Sequence, residues 1–318
     1  MTVAESIAHN GGRTPRVSVI IPVYNRADKI GRALQSVFAQ TFTDYEIVVV
    51  NDGSTDDTAS VLASYGEKIR VVSQANRGLS GARNAGIAVS RGEYVALLDD
   101  DDQWLPERLA RCVQVLDADP DCVLVYTDLL KVDADGRPLS GPFGSPDGIE
   151  SPTMEHMLDH PWNVVPSRIM VRRAVLERCG GFDERLRAYE DRFFTLRARE
   201  HGHFRLVPAV LLHKDTRPDY PKVLEREPQC ELFIELVRQR YGLSARGYIK
   251  EYRHKRARLM NRLGRELMAQ ERPAEARRCF ARVLHYEPAS PKAYFRYLKT
   301  FIAARGARAS SATDGPEV

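Results

Sequence analysis

Four consecutive aspartates, Asp99 to Asp102, follow an apolar stretch at 94–98 that is typical of a buried β-strand. Two like charges 4 Å apart repel each other by about 1 kcal/mol in bulk water, and by more near a protein surface. Carboxylate oxygens suit Mg²⁺ or Mn²⁺, which usually takes one or two protein carboxylates together with substrate phosphate oxygens. We therefore predict that the run helps to hold a divalent cation; an acidic surface turn is the simpler alternative.

The stretch NDGSTDD follows a second strand-like run. A tight turn at Gly53 and a helix start at Ser54 explain part of this stretch. They do not explain both Asn51 and Asp52. An aspartate at the end of a strand can accept the imino proton of a uracil, so Asp52 is a candidate for binding a nucleotide base.

A glycine-punctuated stretch, NRGLSGARNAGI, contains Arg77 and Arg83 and leads into a predicted helix. Backbone N–H groups at a helix N-terminus, together with arginine, favour a phosphate-bearing ligand. A glycine-rich loop that enters a helix is also common in proteins without any such ligand. An anion site is therefore one of two interpretations of this stretch.

Two acids, Glu190 and Asp191, begin a predicted helix that extends to about residue 200. Acids in the first turn of a helix interact favourably with the helix dipole, which is the simplest explanation of the pair. The other candidate residues favour a catalytic role for this pair over a purely structural one, because a site that binds a nucleotide and a cation still needs a base. Glu190 and Asp191 are therefore our candidate catalytic carboxylates.

Apolar runs alternate with helix-like segments through the first half of the chain, which is the pattern of βαβ units and a mostly parallel sheet. We predict strands at 17–24, 46–50, 69–73, 94–98, 122–126, 167–171 and 204–212, with helices at 29–40, 55–65, 80–90 and 106–116. Ligands of such sheets bind at the carboxyl ends of the strands. The stretches PVYNR, NDGSTDD and DDDD should therefore meet at one cleft.

The second half of the chain changes to a helical period. Leu263, Gly264, Ala276, Phe280 and Pro288 fall at the spacings of one tetratricopeptide-like helical hairpin. We predict four regions: a flexible N-terminal tail at 1–15, an α/β domain at 16–225, a small helical region at 226–305 and a disordered tail at 306–318.

The C-terminal region is basic: residues 251–310 contain 15 Lys and Arg against 5 Asp and Glu, whereas the whole chain of 318 residues has a net charge of +4. Such a segment is attracted to lipid headgroups or to a polyanionic acceptor, unless it is only a solvated helical face.

The five scattered cysteines argue against a disulfide framework and a zinc site. No run reaches the roughly 18 apolar residues that a membrane span needs, and the N-terminus has no apolar signal core. We predict a cytoplasmic protein, peripheral on the inner face of the membrane, with no nucleic-acid partner; a homo-oligomer stays open.

In order and spacing, VSVIIPVYNR, EIVVVNDGSTDDT, NRGLSGARNAGI, YVALLDDDDQW and GGFDERLRAYED resemble the family 2 glycosyltransferases of the GT-A fold, over about 16–215. The resemblance implies an α/β, Rossmann-like, mostly parallel sheet flanked by helices. It also implies a nucleotide-sugar donor, with UDP favoured over GDP or dTDP on resemblance alone, and a glycan or lipid-linked acceptor in cell-surface polysaccharide synthesis.

The resemblance assigns roles to individual residues. It implies that the nucleotide is contacted by Pro22, Val23, Tyr24, Asn25, Asp52 and Arg77. The aspartate signature maps onto the run with an ambiguity of one position; alignment on Trp104 makes Asp100 a ribose or phosphate contact, beside Asp99, and Asp101 the best ligand for Mn²⁺ or Mg²⁺. His213 lies where some relatives place a residue near the diphosphate or metal. Asp191 matches the general base and Glu190 its neighbour.

These roles imply that Asp191 deprotonates an acceptor hydroxyl that attacks the anomeric carbon, which inverts that carbon. Two other interpretations stay open from the sequence. A nucleotidyltransferase would also use a nucleotide-binding sheet, but it usually has a glycine-rich, basic first loop where this chain has PVYNRADK. A noncatalytic binding or scaffolding protein would use the helical hairpin, but it does not explain both the aspartate run and the Glu190–Asp191 pair.

Overall fold

The computed structural model describes residues 14–133, 135–139, 141–142, 149–159, 165–215 and 226–311. These residues form two compact units. The first contains the described residues among Met1–Met157, Trp162–Pro218 and Pro228–Glu235, and the second contains those among Leu158–Pro161, Asp219–Glu227 and Leu236–Val318. The predicted tails therefore lie mostly outside the described residues.

The first unit begins with strands and helices that alternate as predicted. They are β1 (Val17–Val23), α1 (Ile30–Phe38), β2 (Tyr45–Asn51), α2 (Thr58–Ala63), β3 (Arg70–Ser73), α3 (Gly78–Val89) and β4 (Tyr94–Leu97). The four strands pair in parallel in the order β3-β2-β1-β4. Every residue of β1 and β4 is buried, as expected of parallel strands covered on both faces.

The rest of the sheet mixes parallel and antiparallel strands. The elements that follow β4 along the chain are β5 (Gln103–Trp104), α4 (Arg108–Ala118), β6 (Cys122–Val132), α5 (Met154–Asp159), β7 (Ile169–Arg172), α6 (Arg173–Cys179), α7 (Glu190–Arg199) and β8 (His203–Asp215). The described sheet continues from β4 in the order β7-β6-β8-β5. Strand β7 runs antiparallel to both of its neighbours, and the short β5 runs antiparallel to β8.

This topology brings the ends of several strands to one edge. Val23 at the end of β1 pairs with Asn51 at the end of β2. The residue after β4, Leu98, donates its backbone N–H to Ile20 of β1. Because these strands are parallel, the loops that follow them emerge on the same side of the sheet, as the strand pattern predicts.

Helices form the second unit. They are the end of α8 (Glu227–Tyr241), then α9 (Arg246–Ala269), α10 (Pro273–Tyr286) and α11 (Pro291–Ser311). Helices α9 and α10 pack closely: a Cβ added to Gly264 would lie 2.7 Å from the ring of Phe280. This is the contact that the predicted helical hairpin requires.

Two boundaries differ from the prediction. Residues 228–235 of α8 belong to the first unit, although we predicted that the α/β domain ends near 225. Helix α11 continues through Ser311, past the predicted boundary at 305. No described helix is both long enough and apolar enough to cross a membrane.

Candidate active site

The loops after β1 and β2 are held together by side chains of both. Asn25 has a left-handed backbone (φ 51°), and its side-chain oxygen accepts a hydrogen bond from the N–H of Thr55 at 2.8 Å. Its own N–H donates to the hydroxyl of Ser54 at 3.0 Å. The side-chain oxygen of Asn51 accepts the N–H of Ser54, also at 3.0 Å. Asn51 therefore shapes the turn, which explains a residue that a helix cap and a tight turn left unexplained.

The end of β1 contacts two of the predicted site loops. Pro22 and Val23 are buried, and Tyr24 is exposed. The carbonyl of Val23 accepts the N–H of Asp52 at 2.9 Å. The backbone of Tyr24 lies close enough to the carboxylate of Asp100 to oppose the rise in its pKa. The predicted nucleotide contacts of β1 thus lie against both Asp52 and the aspartate run.

Asp52 is 3% exposed and accepts three hydrogen bonds. The N–H groups of Arg77 and Gly78 donate to its two oxygens at 2.9 and 2.8 Å, and the side-chain amide of Gln74 donates at 2.7 Å. A carboxylate has about four lone-pair positions, so one acceptor position stays open for a further donor such as a base N–H. We did not predict Gln74, although it directly follows β3 at the same sheet edge.

The start of α3 is used differently from the anion site that we considered. The N–H groups of Arg77 and Gly78, which could cradle a phosphate, donate to the carboxylate of Asp52 instead. The exposed guanidinium of Arg77 pairs with Glu184 at 2.7 Å. The geometry therefore favours a protein carboxylate over a substrate phosphate at this helix N-terminus.

Two members of the aspartate run are anchored by buried or half-buried cations. Asp99 pairs with Arg83 at 2.8 Å, and its N–H donates to the hydroxyl of Ser167. Asp102 is fully buried and pairs with Lys214 of β8 at 3.1 Å. Burial alone would raise the pKa of Asp99, but the charges of Arg83 and Lys214 leave it lowered. Asp99 and Asp102 thus fix the two ends of the run.

The two central aspartates are less strongly held. Asp100 lies 3.8 Å from Arg26, and Asp101 accepts no hydrogen bond from any described residue. Burial, followed by the charges of Asp101 and Asp99, raises the pKa of Asp100 to about 7. Burial and the charge of Asp99, against the opposing effect of Lys214, raise the pKa of Asp102 to about 7. The crowded negative charge is therefore unfavourable in the absence of a cation.

The run fits a divalent ion of the Mg²⁺ type. Its oxygen ligands match such an ion, and the ion's charge would offset both the burial and the repulsion from Asp101 and Asp99 that raise the pKa of Asp100. His213 pairs across β5 and β8 with Gln103, two residues beyond Asp101. However, no three His, Cys, Asp or Glu side chains among the described residues are close enough together to hold an ion. The protein could supply one or two ligands, and water or a substrate phosphate would supply the rest.

The candidate base lies at the start of α7. Tyr189 has a left-handed backbone (φ 68°), which is not helical, and the helix begins at the next residue. The first two residues of α7 are therefore Glu190 and Asp191. Asp191 is partly buried, and one of its oxygens accepts the N–H of Arg192 at 2.8 Å. Burial, and next the negative charge of Glu190, raises the pKa of Asp191 to about 6. At neutral pH this carboxylate is ionised but basic enough to take a proton.

Arg83 connects the two acidic parts of the site. Its guanidinium is 1% exposed and donates to Asp99 at 2.8 Å and to Glu190 at 2.7 Å. The two carboxylates raise its pKa despite its burial. We predicted that Arg83 contacts a phosphate; this geometry favours instead a role in positioning the aspartate run and the start of α7.

Asn84, the next residue of α3, clamps the loop before α7. Its side-chain oxygen accepts the N–H of Phe182, and its side-chain nitrogen donates to the carbonyl of the same residue, both at 2.8 Å. Gly181 has φ 69°, and a Cβ there would lie 2.5 Å from the Asn84 oxygen. Sequence reasoning missed Asn84; its position beside Arg83 in the NRGLSGARNAGI stretch was the available signal.

With this geometry in view, the comparisons with known proteins identify the class. The family model "Glycosyl transferase family 2" matches residues 18–180. The chain therefore belongs to glycosyl transferase family 2, and its fold is of the GT-A type.

Individual relatives cover most of this chain. It is 28% identical over 245 residues to a chondroitin synthase of Escherichia coli, covering 76% of this chain and 34% of that protein. It is 31% identical over 242 residues to a hyaluronan synthase of Pasteurella multocida, covering 74% and 24%. The chain thus spans about a third or less of these relatives.

Solved structures agree on the fold. Residues 1–349 of S. aureus TarS in complex with UDP superpose with a TM-score of 0.54 at 22% identity, covering 92% of both chains. A mannosyltransferase of Pyrobaculum calidifontis in complex with GDP-Man and Mn²⁺ superposes with a TM-score of 0.56 at 22% identity, covering 96% of this chain and 83% of that one.

Proposed function

We propose that this chain is an inverting glycosyltransferase that moves a sugar from a nucleoside-diphosphate sugar to a hydroxyl of a glycan or lipid-linked acceptor. The observation that carries the proposal is the bridge made by Arg83. One buried side chain bonds both Asp99 of the aspartate run and Glu190 beside Asp191. Arg83 would then fix the position of a donor held at the aspartate run relative to a base at the start of α7.

In the proposed mechanism Asp191 accepts the proton of the acceptor hydroxyl as its oxygen attacks the anomeric carbon. The leaving nucleoside diphosphate departs on the opposite side, so the anomeric carbon inverts. Asp52 would bind the nucleotide base through its open acceptor position, and Tyr24 would lie beside it. Burial and, next, the negative charge of Glu190 raise the pKa of Asp191, which makes it a stronger base.

A divalent ion would be held by Asp101, with Asp100 and His213 as its protein neighbours. When bound, it would supply positive charge to the leaving diphosphate. The support for Asp101 is that it makes no ion pair with a described residue, whereas the other three aspartates of the run do so, with Arg83, Arg26 and Lys214. Mn²⁺ and Mg²⁺ are the candidates from the ligand chemistry, and the Pyrobaculum neighbour carries Mn²⁺.

The donor and the setting are also proposals. UDP is favoured because the TarS neighbours are complexes with UDP and UDP-GlcNAc, whereas the Pyrobaculum neighbour binds GDP-Man. The named relatives that synthesise chondroitin and hyaluronan support a role in cell-surface polysaccharide synthesis. We propose that the enzyme works in the cytoplasm, at the inner face of the membrane, where a lipid-linked acceptor would be presented.

A panel of UDP-, GDP- and dTDP-sugars tests this function. We expect one donor class to raise the melting temperature in the presence of Mn²⁺ and to be hydrolysed slowly without an acceptor, since a ligand that binds only the folded state stabilises it by mass action. A chain that neither binds nor turns over any of these donors would be a scaffold rather than an enzyme.

Removing the Asp101 carboxylate should abolish the effect of the metal. In Asp101→Ala we expect the stabilisation by Mn²⁺ and donor, about 2.7 kcal/mol at one hundred times Kd, to fall to that of donor alone. Calorimetric melting with and without Mn²⁺ measures this. Asp102→Asn is the control from the same run: it loses the buried pair with Lys214 and some stability, but keeps the response to Mn²⁺. A wild-type response of Asp101→Ala to Mn²⁺ would show that another residue holds the ion.

The transfer rate should depend on the ionisation of Asp191. Because its pKa is raised from its usual value of 3.8 to about 6, the base is lost by protonation as the pH falls through about 6. We expect kcat/KM to be flat above this pH and to fall about tenfold per unit below it. The measurement is kcat/KM between about pH 5 and pH 8 at saturating Mn²⁺. A profile limb that moves with the Mn²⁺ concentration would belong to the aspartate run instead.

A further inference from the structure

Helix α11 exposes its large apolar side chains to solvent. Five of them are 42–72% exposed: Tyr294, Phe295, Leu298, Phe301 and Ile302. Phe301 forms one edge of this set, where the guanidinium of Arg277 lies 3.7 Å from its ring centre. At 100° per residue the five side chains span about 120° of the helix surface. Scattered exposed apolar residues are normal, but a continuous apolar face of this kind marks an interaction surface.

The inner face of the same helix is small or polar. Ala293 and Thr300 are buried, and the hydroxyl of Thr300 accepts a hydrogen bond from Arg277 at 3.1 Å. Arg296 donates to the side chain of Asn261 at 2.6 Å. A surface helix normally turns its apolar stripe toward the protein core. In α11, Tyr294, Leu298 and Ile302 are instead 50–72% exposed.

The charge of this helix is of one sign. Residues 291–311 contain five Lys and Arg and no Asp or Glu. Lys292 and Lys299 are exposed and lie beside the Phe295 edge of the apolar face. A groove of about 620 Å³ adjoins that edge; its lining includes Arg265, Met268, Lys292, Phe295, Arg296 and Lys299. Apolar surface and positive charge are therefore presented side by side.

These features together select the occupant. A second copy docked face to face would bring two basic helices together with no acidic residue on either, which disfavours self-association. A bilayer that contains anionic lipids matches both the apolar face and the positive charge, since apolar side chains enter the headgroup region and lysines lie near the phosphates. We propose that the exposed apolar face of α11, with its lysine-flanked groove, docks on an anionic membrane surface. This inference rests on the proposed location of the enzyme at the membrane, and it names the surface responsible.

Vesicle co-sedimentation of the full chain tests the inference. We expect binding to vesicles of phosphatidylglycerol and phosphatidylcholine, weakened by salt, and little binding to phosphatidylcholine alone. Leu298→Ala with Ile302→Ala should weaken binding by at least about tenfold, because apolar area is lost while alanine preserves the helix. Lys292→Gln with Lys299→Gln should weaken it about fivefold for each charge removed.

Matched controls come from exposed residues elsewhere. Leu139→Ala removes a leucine that is 54% exposed in the first unit, and Arg262→Gln removes an exposed charge of α9 that does not line the groove. Both should bind vesicles like the wild type.

Three results would overturn the inference. The first is wild-type protein that ignores anionic vesicles, and the second is α11 variants that bind them normally. The third is a wild-type dimer in sedimentation velocity that Leu298→Ala with Ile302→Ala makes monomeric, which would assign the face to a second copy. Hydrolysis of the donor by the same variants separates this inference from the proposed function: lost vesicle binding with intact hydrolysis concerns α11 alone.

Discussion

Asp191→Asn is expected to lower the transfer rate by about 10²- to 10⁴-fold, the usual contribution of a general base. Donor affinity should change little, because in the proposed mechanism Asp191 acts on the acceptor hydroxyl and not on the nucleotide. The folded protein should lose no stability near neutral pH. A neutral amide avoids the burial and the repulsion from Glu190 that raise the pKa of the carboxylate. The measurements are the single-turnover transfer rate, the donor Kd and the melting temperature.

The matched control for this variant is Glu200→Gln, which neutralises an exposed acid just beyond the end of α7. It should transfer sugar like the wild type. Transfer by Asp191→Asn at the wild-type rate would show that the base lies elsewhere.

Arg83→Met is expected to destabilise the protein by about 3–5 kcal/mol, the usual cost of removing one partner of a buried ion pair. The variant leaves the buried Glu190 and the Asp99 carboxylate without their shared cation. Arg83→Lys should recover only part of the loss, because a single ammonium does not offer the fork of donors that reaches both carboxylates. Denaturant unfolding measures both effects.

A role limited to stability would not change the chemistry, and this gives a second readout. The positive charge of Arg83 lowers the pKa of Asp191, so its removal should move the acid limb of kcat/KM to higher pH. The control is Arg77→Met, since the exposed pair of Arg77 with Glu184 should contribute only about 0–1 kcal/mol. Equal effects of the two arginine variants would contradict the proposed bridge.

Most strands and helices of the first unit can be predicted from the local sequence pattern. The bounds that could not be predicted depend on pairing between strands that are far apart in the chain. Strand β5 has two residues, Gln103 and Trp104, and therefore no periodicity; it exists because it pairs with β8. Strands β6 and β8 extend beyond their predicted ends because they pair with each other along most of their length, through register shifts.

The candidate site divides in the same way. Strand-end loops, the aspartate run and the Glu190–Asp191 pair are visible in sequence because their residue types are unusual at those points. Four identical aspartates cannot be told apart by type, and only their partners, Arg83, Arg26 and Lys214, distinguish them. We predicted a phosphate contact for Arg83 and did not foresee its bond to Glu190, which lies 107 residues away in the chain.

The placement of so many contacts on α3 has a consequence for engineering. Its first residue, Gly78, and the preceding Arg77 donate N–H groups to Asp52. Farther along the helix, Arg83 and Asn84 hold the helix and the loop that carry Asp191. A chimera that joins this chain to another sugar transferase within or just after α3 would take these contacts from two parents. Exchange of donor or acceptor preference should therefore succeed most readily when the segment from Asp52 to Asp191 comes from a single parent.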